Sequence, residues 1–259
     1  MRERIEPMKI LLTGPNGFVG KYIMKAIPEA EPIENLRSRR AEIPALFEAA
    51  NVIIHTAAIS NTRICEETPD DSYDANVLFP VEIAKAAPNA KLICFSSDQV
   101  YNASPLDGPY SEDMSCPAGI YANHKLEMEQ RVLDINPNAV MLRAAWMYDM
   151  NHGFIKNLLQ ADSSIEAPEQ YRGITWVQEV ADSIRDTFTL PGGCYNFGSE
   201  NGMPMPVFTE AVLRLLNKDV DVVPGNIRHN LWMNTEKAQK YGISFSSSLE
   251  GVRKCIHQI

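Results

Sequence analysis

Tyr121-Ala122-Asn123-His124-Lys125 sets a phenol and an amine four residues apart, a spacing that puts both on one face of a helix. An ammonium beside a phenol favours the phenolate, so Lys125 is expected to bring Tyr121 down from about 10 toward neutrality. Tyr121 then becomes a usable proton donor to a carbonyl under reduction. Such a pair also occurs on ordinary solvated helices, and a second signal is needed. It comes from Cys94-Phe95-Ser96-Ser97-Asp98, an apolar run ending in hydroxyl residues. Ligands of open parallel sheets bind beyond the carboxyl ends of the strands, which positions Ser97 to share a substrate oxygen with Tyr121. Capping of the strand end is the competing role for Ser96 and Ser97.

A carbonyl reduction needs a hydride source, and the chain start offers a place for one. Residues 9–12 form an apolar run, followed by Gly14, Gly17 and Gly20 in a GxxGxxG spacing that opens a helix. Gly14 permits a tight exit from the strand, Gly17 a close backbone approach to a pyrophosphate, and Gly20 close packing of helix on sheet. The helix dipole and its free N–H groups then face the phosphates. Cofactor choice rests on the end of the second strand, where an acid binds a ribose 2′-OH and basic groups a 2′-phosphate. Glu34 stands there, but Arg37-Ser38-Arg39-Arg40 follows it. Guanidinium forks suit phosphate oxygens, so NADPH is favoured over NADH, with Arg37, Arg39 and Arg40 as its binders; a solvated face is the alternative role for some of these arginines.

These groups must be carried by alternating strands and helices. Apolar runs at residues 9–12, 52–55, 92–95 and 139–142, with a weaker one at 32–36, alternate with helical spacing at 18–27, 45–50, 71–87 and 121–133. That rhythm predicts βαβ units and a Rossmann-type, doubly wound parallel sheet in an α/β protein. Val52-Ile53-Ile54 and Leu92-Ile93-Cys94-Phe95 read as strands buried on both faces. After Trp146 the rhythm loosens into shorter helices and a Gly/Pro-rich stretch at 191–206, with a last helix begun by Ser248. The expected division is a disordered extension at 1–7, a dinucleotide-binding core at 8–146, and a smaller substrate-binding lobe at 147–259 interleaved with the end of the sheet.

Composition narrows the partners. The 259 residues carry a formal charge of −9, which disfavours nucleic acid, since phosphate-backbone binders need basic surface. No apolar run approaches the roughly 20 residues that span a bilayer, and the first residues lack a signal peptide's apolar core. No membrane partner and a cytoplasmic location are expected, with room for a homodimer. Cys65, Cys94, Cys116, Cys194 and Cys255 are scattered without metal-ligand spacing, so they are read as reduced thiols and no metal is expected.

Thr13-Gly14-x-x-Gly17-x-x-Gly20, His55-Thr56-Ala57-Ala58, Ser96-Ser97-Asp98 and Tyr121-x-x-x-Lys125 together resemble the extended short-chain dehydrogenase/reductase superfamily. Within it the chain most resembles the dTDP-4-dehydrorhamnose reductase family, from about Met8 to Ile256. Leu142-Arg143-Ala144-Ala145-Trp146-Met147-Tyr148 is similar to that family's LRTSWVYG, Gly153-Phe154-Ile155 to its NFV, and Glu169-Gln170-Tyr171-Arg172-Gly173-Ile174-Thr175 to its DQxGxPT loop. The resemblance implies an NAD(P)H-dependent reductase of a ketone on a nucleotide-linked sugar, with Ser97, Tyr121 and Lys125 carrying the carbonyl chemistry. It implies a cofactor site made of Gly14, Asn16, Gly17, Phe18, Val19, Gly20, Ala57, Ala58, Asn76, Ser96, Ala144 and Ala145, together with Tyr121 and Lys125. Ser97, Trp146, Gln170, Arg172 and Thr175 would face the substrate, although Trp146 also reads as a core aromatic. Three departures bear on the substrate: Thr62-Arg63-Ile64-Cys65-Glu66 stands where the family has Val-Asp-x-x-Glu, putting a base for an acid, the loop at 169–175 lacks its proline, and the segment before it, residues 157–168, is short. Two other readings fit the same motifs: a sugar-nucleotide epimerase or dehydratase holding NAD tightly, and a non-catalytic dinucleotide-binding regulatory subunit.

Overall fold

The computed structural model describes residues 8–105, 107–226 and 230–258, so the extension expected at 1–7 lies outside the described residues. The chain runs β1 (Ile10–Thr13), α1 (Phe18–Ala26), β2 (Glu31–Ile33), α2 (Ile43–Phe47), β3 (Val52–His55), α3 (Thr62–Glu67), α4 (Pro69–Tyr73), α5 (Phe79–Ala86), β4 (Lys91–Ser97), α6 (Ile120–Ile135) and β5 (Val140–Ala144). It continues through β6 (Trp146–Tyr148), α7 (Gly153–Gln160), β7 (Ser164–Pro168), β8 (Ile174–Trp176), α8 (Val177–Ser183), β9 (Gly193–Phe197), α9 (Met205–Leu215), β10 (Asp221–Gly225), α10 (Glu236–Gln239) and α11 (Ser248–His257).

Six strands form one parallel sheet in the order β2-β1-β3-β4-β5-β9. Its faces are filled as the unbroken apolar runs demand. Ile10, Leu12, Val52, Ile54, Ile93 and Leu142 pack on one side with Ile23 of α1 and Val180 of α8. Leu11, Ile53, Leu92, Cys94 and Met141 alternate to the other, against Phe47 of α2, Ile83 of α5 and Met128 and Val132 of α6. The fold is thus α/β and doubly wound. A third apolar cluster lies among β6, α7, β8, α9 and α11, centred on Tyr148, Phe154, Trp176 and Phe208. Two parallel pairs, β6-β8 and β7-β10, lie outside the main sheet.

Several elements depart from the sequence expectation for identifiable reasons. The helix expected over 71–87 is broken: α4 and α5 flank a π-helical turn at Asp74–Leu78. Pro80, in the first turn of α5, has no N–H to continue the ladder backwards. The short α3 went unread; it is begun by Asn61, whose Oδ1 accepts from Ile64 N at 3.1 Å. The last helix is capped by Ser247, which accepts from Glu250 N. Ser248 instead uses its hydroxyl on Ile174 N.

Beneath β4 and β5 the sheet contains a buried ion pair. Arg143 of β5 forks onto Glu129 of α6, with Nη2 to Oε2 at 2.7 Å and both side chains about 3% exposed or less. Ser96 donates its hydroxyl to the same carboxylate, and Arg143 also reaches the Tyr101 hydroxyl at 2.8 Å and Glu112 O at 2.6 Å. Removing one partner strands the other charge away from water, which costs about 3–5 kcal/mol. Glu129→Ala is therefore expected to lose about that much in urea unfolding, and the double variant Glu129→Ala/Arg143→Met to recover part of it; an unchanged midpoint for the single variant would contradict this account.

Candidate active site

A trench runs across the carboxyl ends of the strands as three cavities that share lining residues. The first, about 350 Å³, lies where β1 and β3 diverge and is lined by Gly14, Asn16, Glu34, Arg37, Ala57 and Phe79 among others. The second, about 800 Å³, shares Gly17 and Ala58 with it and holds Ser97, Tyr121, Lys125, Ala144 and Ala145. The third, about 400 Å³, shares Thr62, Gln99, Trp146 and Arg172 with the second and adds Phe154, Asn157, Gln170 and Thr209.

The glycine turn is tight because neighbouring backbones leave no room for side chains. Gly14 has φ +71°, and a Cβ there would sit 2.8 Å from Ala57 N. A Cβ on Gly20 would lie 2.1 Å from the Gly14 carbonyl oxygen, so Gly20 closes the turn on itself rather than easing helix against sheet. Gly17 precedes α1 with extended φ and ψ, leaving the first helical N–H groups facing the second cavity beside Phe18 and Val19. These residues suit a pyrophosphate: a helix N-terminus opens behind a turn in which Gly14 and Gly20 leave no space for a Cβ.

At the outer end of the trench, Asn16 Nδ2 donates to Glu34 Oε1 at 3.0 Å. Of the three arginines after β2, only Arg37 lines this cavity; it is half exposed and donates to Asp71 O at 3.2 Å. Arg39 is paired with Glu42 at 2.8 Å. Arg40 is held between Glu82 and Asp74 over the Phe79 ring. The structure thus separates the trio that the sequence grouped, because carboxylates on the same surface take Arg39 and Arg40 first.

The phenol, amine and hydroxyl converge in the second cavity. Lys125 Nζ donates to Phe95 O at 2.8 Å and lies 5.8 Å from the Tyr121 ring centroid. The expectation that Lys125 lowers Tyr121 does not hold here. Burial raises the Tyr121 phenol well above its ordinary value, Asp98 adds to this, and the hydrogen bond from Ser97 and the nearby Arg172 charge work against it. Burial also brings the Lys125 amine down to about 8, which makes it a weaker source of positive field. Tyr121 therefore keeps its proton at neutral pH. The Ser97 Oγ accepts from Gln99 N at 3.2 Å, capping the 3₁₀ turn at Asp98–Tyr101, donates to Asp98 Oδ1 at 3.2 Å, and stands beside the Tyr121 hydroxyl.

Ser96 lines the second cavity, with its hydroxyl donated to Glu129. Asn76 is buried with both ends of its amide on the Ile59 backbone, at 2.9 Å each; it pins the loop after β3 and lines none of the three cavities. Thr175 is fully buried and accepts from Ser199 N at 2.8 Å, so it faces the β8 packing rather than the third cavity. Gln170 does face it, with a buried Oε1 that accepts no hydrogen bond from any described residue. Trp146 lies under the Arg172 guanidinium at 5.1 Å. Arg63, the base standing where an acid was expected, is exposed and bonded to Glu67; Thr62 beside it reaches the trench.

Sequence reasoning passed over two residues here. Asp98, next to Ser97 and so within reach of motif reading, takes Arg172 through Nε at 2.8 Å and Nη2 at 3.2 Å and is almost fully buried. His152 lines the second cavity with its ring 4.7 Å from that of Phe18; nothing in the local sequence marks it. Among the described residues no group of three or more His, Cys, Asp or Glu side chains could hold a metal, and no helix is long and apolar enough to cross a membrane.

The fold recurs in known proteins. A dTDP-4-dehydrorhamnose reductase of Mycolicibacterium smegmatis is 32% identical over 159 residues, which are 57% of this chain and 49% of that protein. The bovine methionine adenosyltransferase 2 subunit beta is 31% identical over 54% of this chain and 47% of its own length. The chain spans about half the length of these curated relatives. The crystal structure of a dTDP-4-dehydrorhamnose reductase from Bacillus anthracis in complex with NADP shares the fold, with a TM-score of 0.85 at 20% identity over 97% of this chain and 99% of that one. The family model described as the RmlD substrate binding domain matches residues 8–227, and the chain accordingly belongs to the RmlD substrate-binding domain family.

Proposed function

We propose that this protein reduces a ketone on a nucleotide-linked sugar with a nicotinamide dinucleotide, as the names of several relatives suggest. The observation that carries the reading is the convergence of Ser97, Tyr121 and Lys125 midway along one trench. That trench has a glycine cradle at one end and the Trp146, Gln170 and Arg172 cavity at the other. Residues 147–259 supply most of that far cavity. When bound in the cradle, a reduced dinucleotide supplies the hydride.

The chain's own groups supply the rest. Tyr121, kept protonated by burial, gives its proton to the substrate oxygen. The Ser97 hydroxyl shares that oxygen and orients the carbonyl. Lys125, anchored on Phe95 O, holds the nicotinamide ribose and lends positive charge to the phenolate that remains. Reduction needs a phenol with its proton on, which the upward shift of Tyr121 secures while making it a weaker acid. Arg172, fixed by Asp98, and the unpartnered Gln170 Oε1 meet the nucleotide half of the substrate.

The test is NADPH oxidation by the purified protein against a panel of 4-keto nucleotide sugars. Turnover supports the reading. Absence of turnover on every member, or stoichiometric retention of NAD with no net NADPH consumption, overturns it. Tyr121→Phe is expected to lower kcat by about 100-fold or more while the protein stays folded. Because Lys125 titrates at about 8 and acts as a cation, the rate is expected to fall as pH rises through that value, read from a pH–rate profile with saturating substrate. Arg37→Ala is expected to weaken NADPH binding about tenfold with little change for NADH, measured by titration of each.

A further inference from the structure

The phosphate-binding turn contains no cation of its own: residues 14–20 are Gly, Pro, Asn, Gly, Phe, Val and Gly. A pyrophosphate seated there would bring two negative charges to a central cavity whose other basic groups are engaged. Lys125 is bonded to Phe95 O and Arg172 to Asp98. The remaining basic side chain among the described residues lining the central cavity is His152.

His152 is held in place from two sides. Its ring stacks on Phe18, the first residue of α1, with centroids 4.7 Å apart and planes 24° apart. Its Nδ1 lies 3.3 Å from Asp149 Oδ1, and the two residues form a small antiparallel bridge, Asp149 N to His152 O at 3.3 Å. Asp149 is in turn tied to α1, since its Oδ2 accepts from the Tyr22 hydroxyl at 2.9 Å. The turn before α7 is thereby fastened to the helix that carries the phosphate-binding end of the trench, with an imidazole at the join. Gly153 follows with φ +67° and no space for a Cβ, which would lie 2.6 Å from Met147 O.

We propose that His152 is a cofactor-binding residue: with Nδ1 oriented by Asp149 and its ring seated on Phe18, it presents its second ring nitrogen to the dinucleotide pyrophosphate. This rests on the reading that the trench holds a nicotinamide dinucleotide. Burial pushes the Tyr22 phenol of α1 up to about 12 and the Cys255 thiol of α11 up to about 11, so both stay neutral. Lys25 lies over the Tyr22 ring, 5.5 Å from its centroid. Because the pyrophosphate is common to both dinucleotides, His152 acts on NADH and NADPH alike, unlike Arg37.

The experiment is titration of the full chain with NADPH and with NADH, without substrate. The wild-type protein is expected to bind both. His152→Gln is expected to weaken both by about tenfold, while His152→Arg restores tight binding. Wild-type affinity in His152→Gln, or a loss confined to NADPH, would overturn the assignment. A wild-type protein that binds neither dinucleotide overturns both this and the proposed function, whereas His152-dependent binding without ketone turnover overturns the proposed function alone.

Discussion

The buried contact between Glu129 and Arg143 governs how the active-site helix sits on the sheet. Tyr121, Lys125 and Glu129 follow each other at four-residue intervals and so form a polar stripe along one side of α6. Each member has a different partner in or beside β4 and β5: Tyr121 the Ser97 hydroxyl, Lys125 the Phe95 carbonyl, and Glu129 both Ser96 and Arg143. Rotating the helix by one residue would carry the whole stripe about 100° away. A carboxylate and a guanidinium would then face each other's empty places in a dry interface. Apolar neighbours such as Met128 and Val132 could repack at smaller cost, so the charged pair is the stricter constraint. Glu66 secures the other end of α6, accepting from Ile120 N at 2.8 Å through Oε1.

With α6 so fixed, the trench forms where the strand order reverses. β2 and β3 leave β1 on opposite sides, and the connections beyond their carboxyl ends part to leave a crevice. The crevice stays narrow because backbone meets backbone there, with Gly14 against Ala57 and Gly20 against the Gly14 carbonyl. Asn76 supports its far wall by satisfying both polar groups of Ile59. The π-helical turn at Asp74–Leu78 is the local irregularity that contains Asn76.

Electrostatically the site is built from engaged charges and retained protons. Arg172 is neutralised by Asp98, and Lys125 is weakened by its own burial. Burial keeps His55 neutral, drawing its imidazole down to about 3. Such surroundings keep the proton on the phenol, and they leave the central cavity short of free positive charge for phosphates. That shortage is what gives an imidazole beside Phe18 its significance.

The α/β class, the strands β1, β3 and β4, the glycine turn and the Ser97, Tyr121 and Lys125 triad were all legible along the chain. Their signals are local: unbroken apolar runs, a strand-to-helix glycine spacing, and a four-residue interval on a helix. Other features depend on what burial and neighbouring chain segments do to a side chain. Ser96, Thr175 and Asn76 carry suitable polar groups, yet each is committed to a distant partner that no spacing announces. Arg37, Arg39 and Arg40 are adjacent in sequence, but carboxylates from α5 and the residues around α2 divide them. The direction of the Tyr121 shift follows from desolvation, which exists only once the helix is packed. His152 meets Phe18 across the join of two segments far apart in the chain. Local spacing sets which groups are present and which elements carry them; packing sets which of those groups are free to act, because burial and competing partners arise only when the chain is folded.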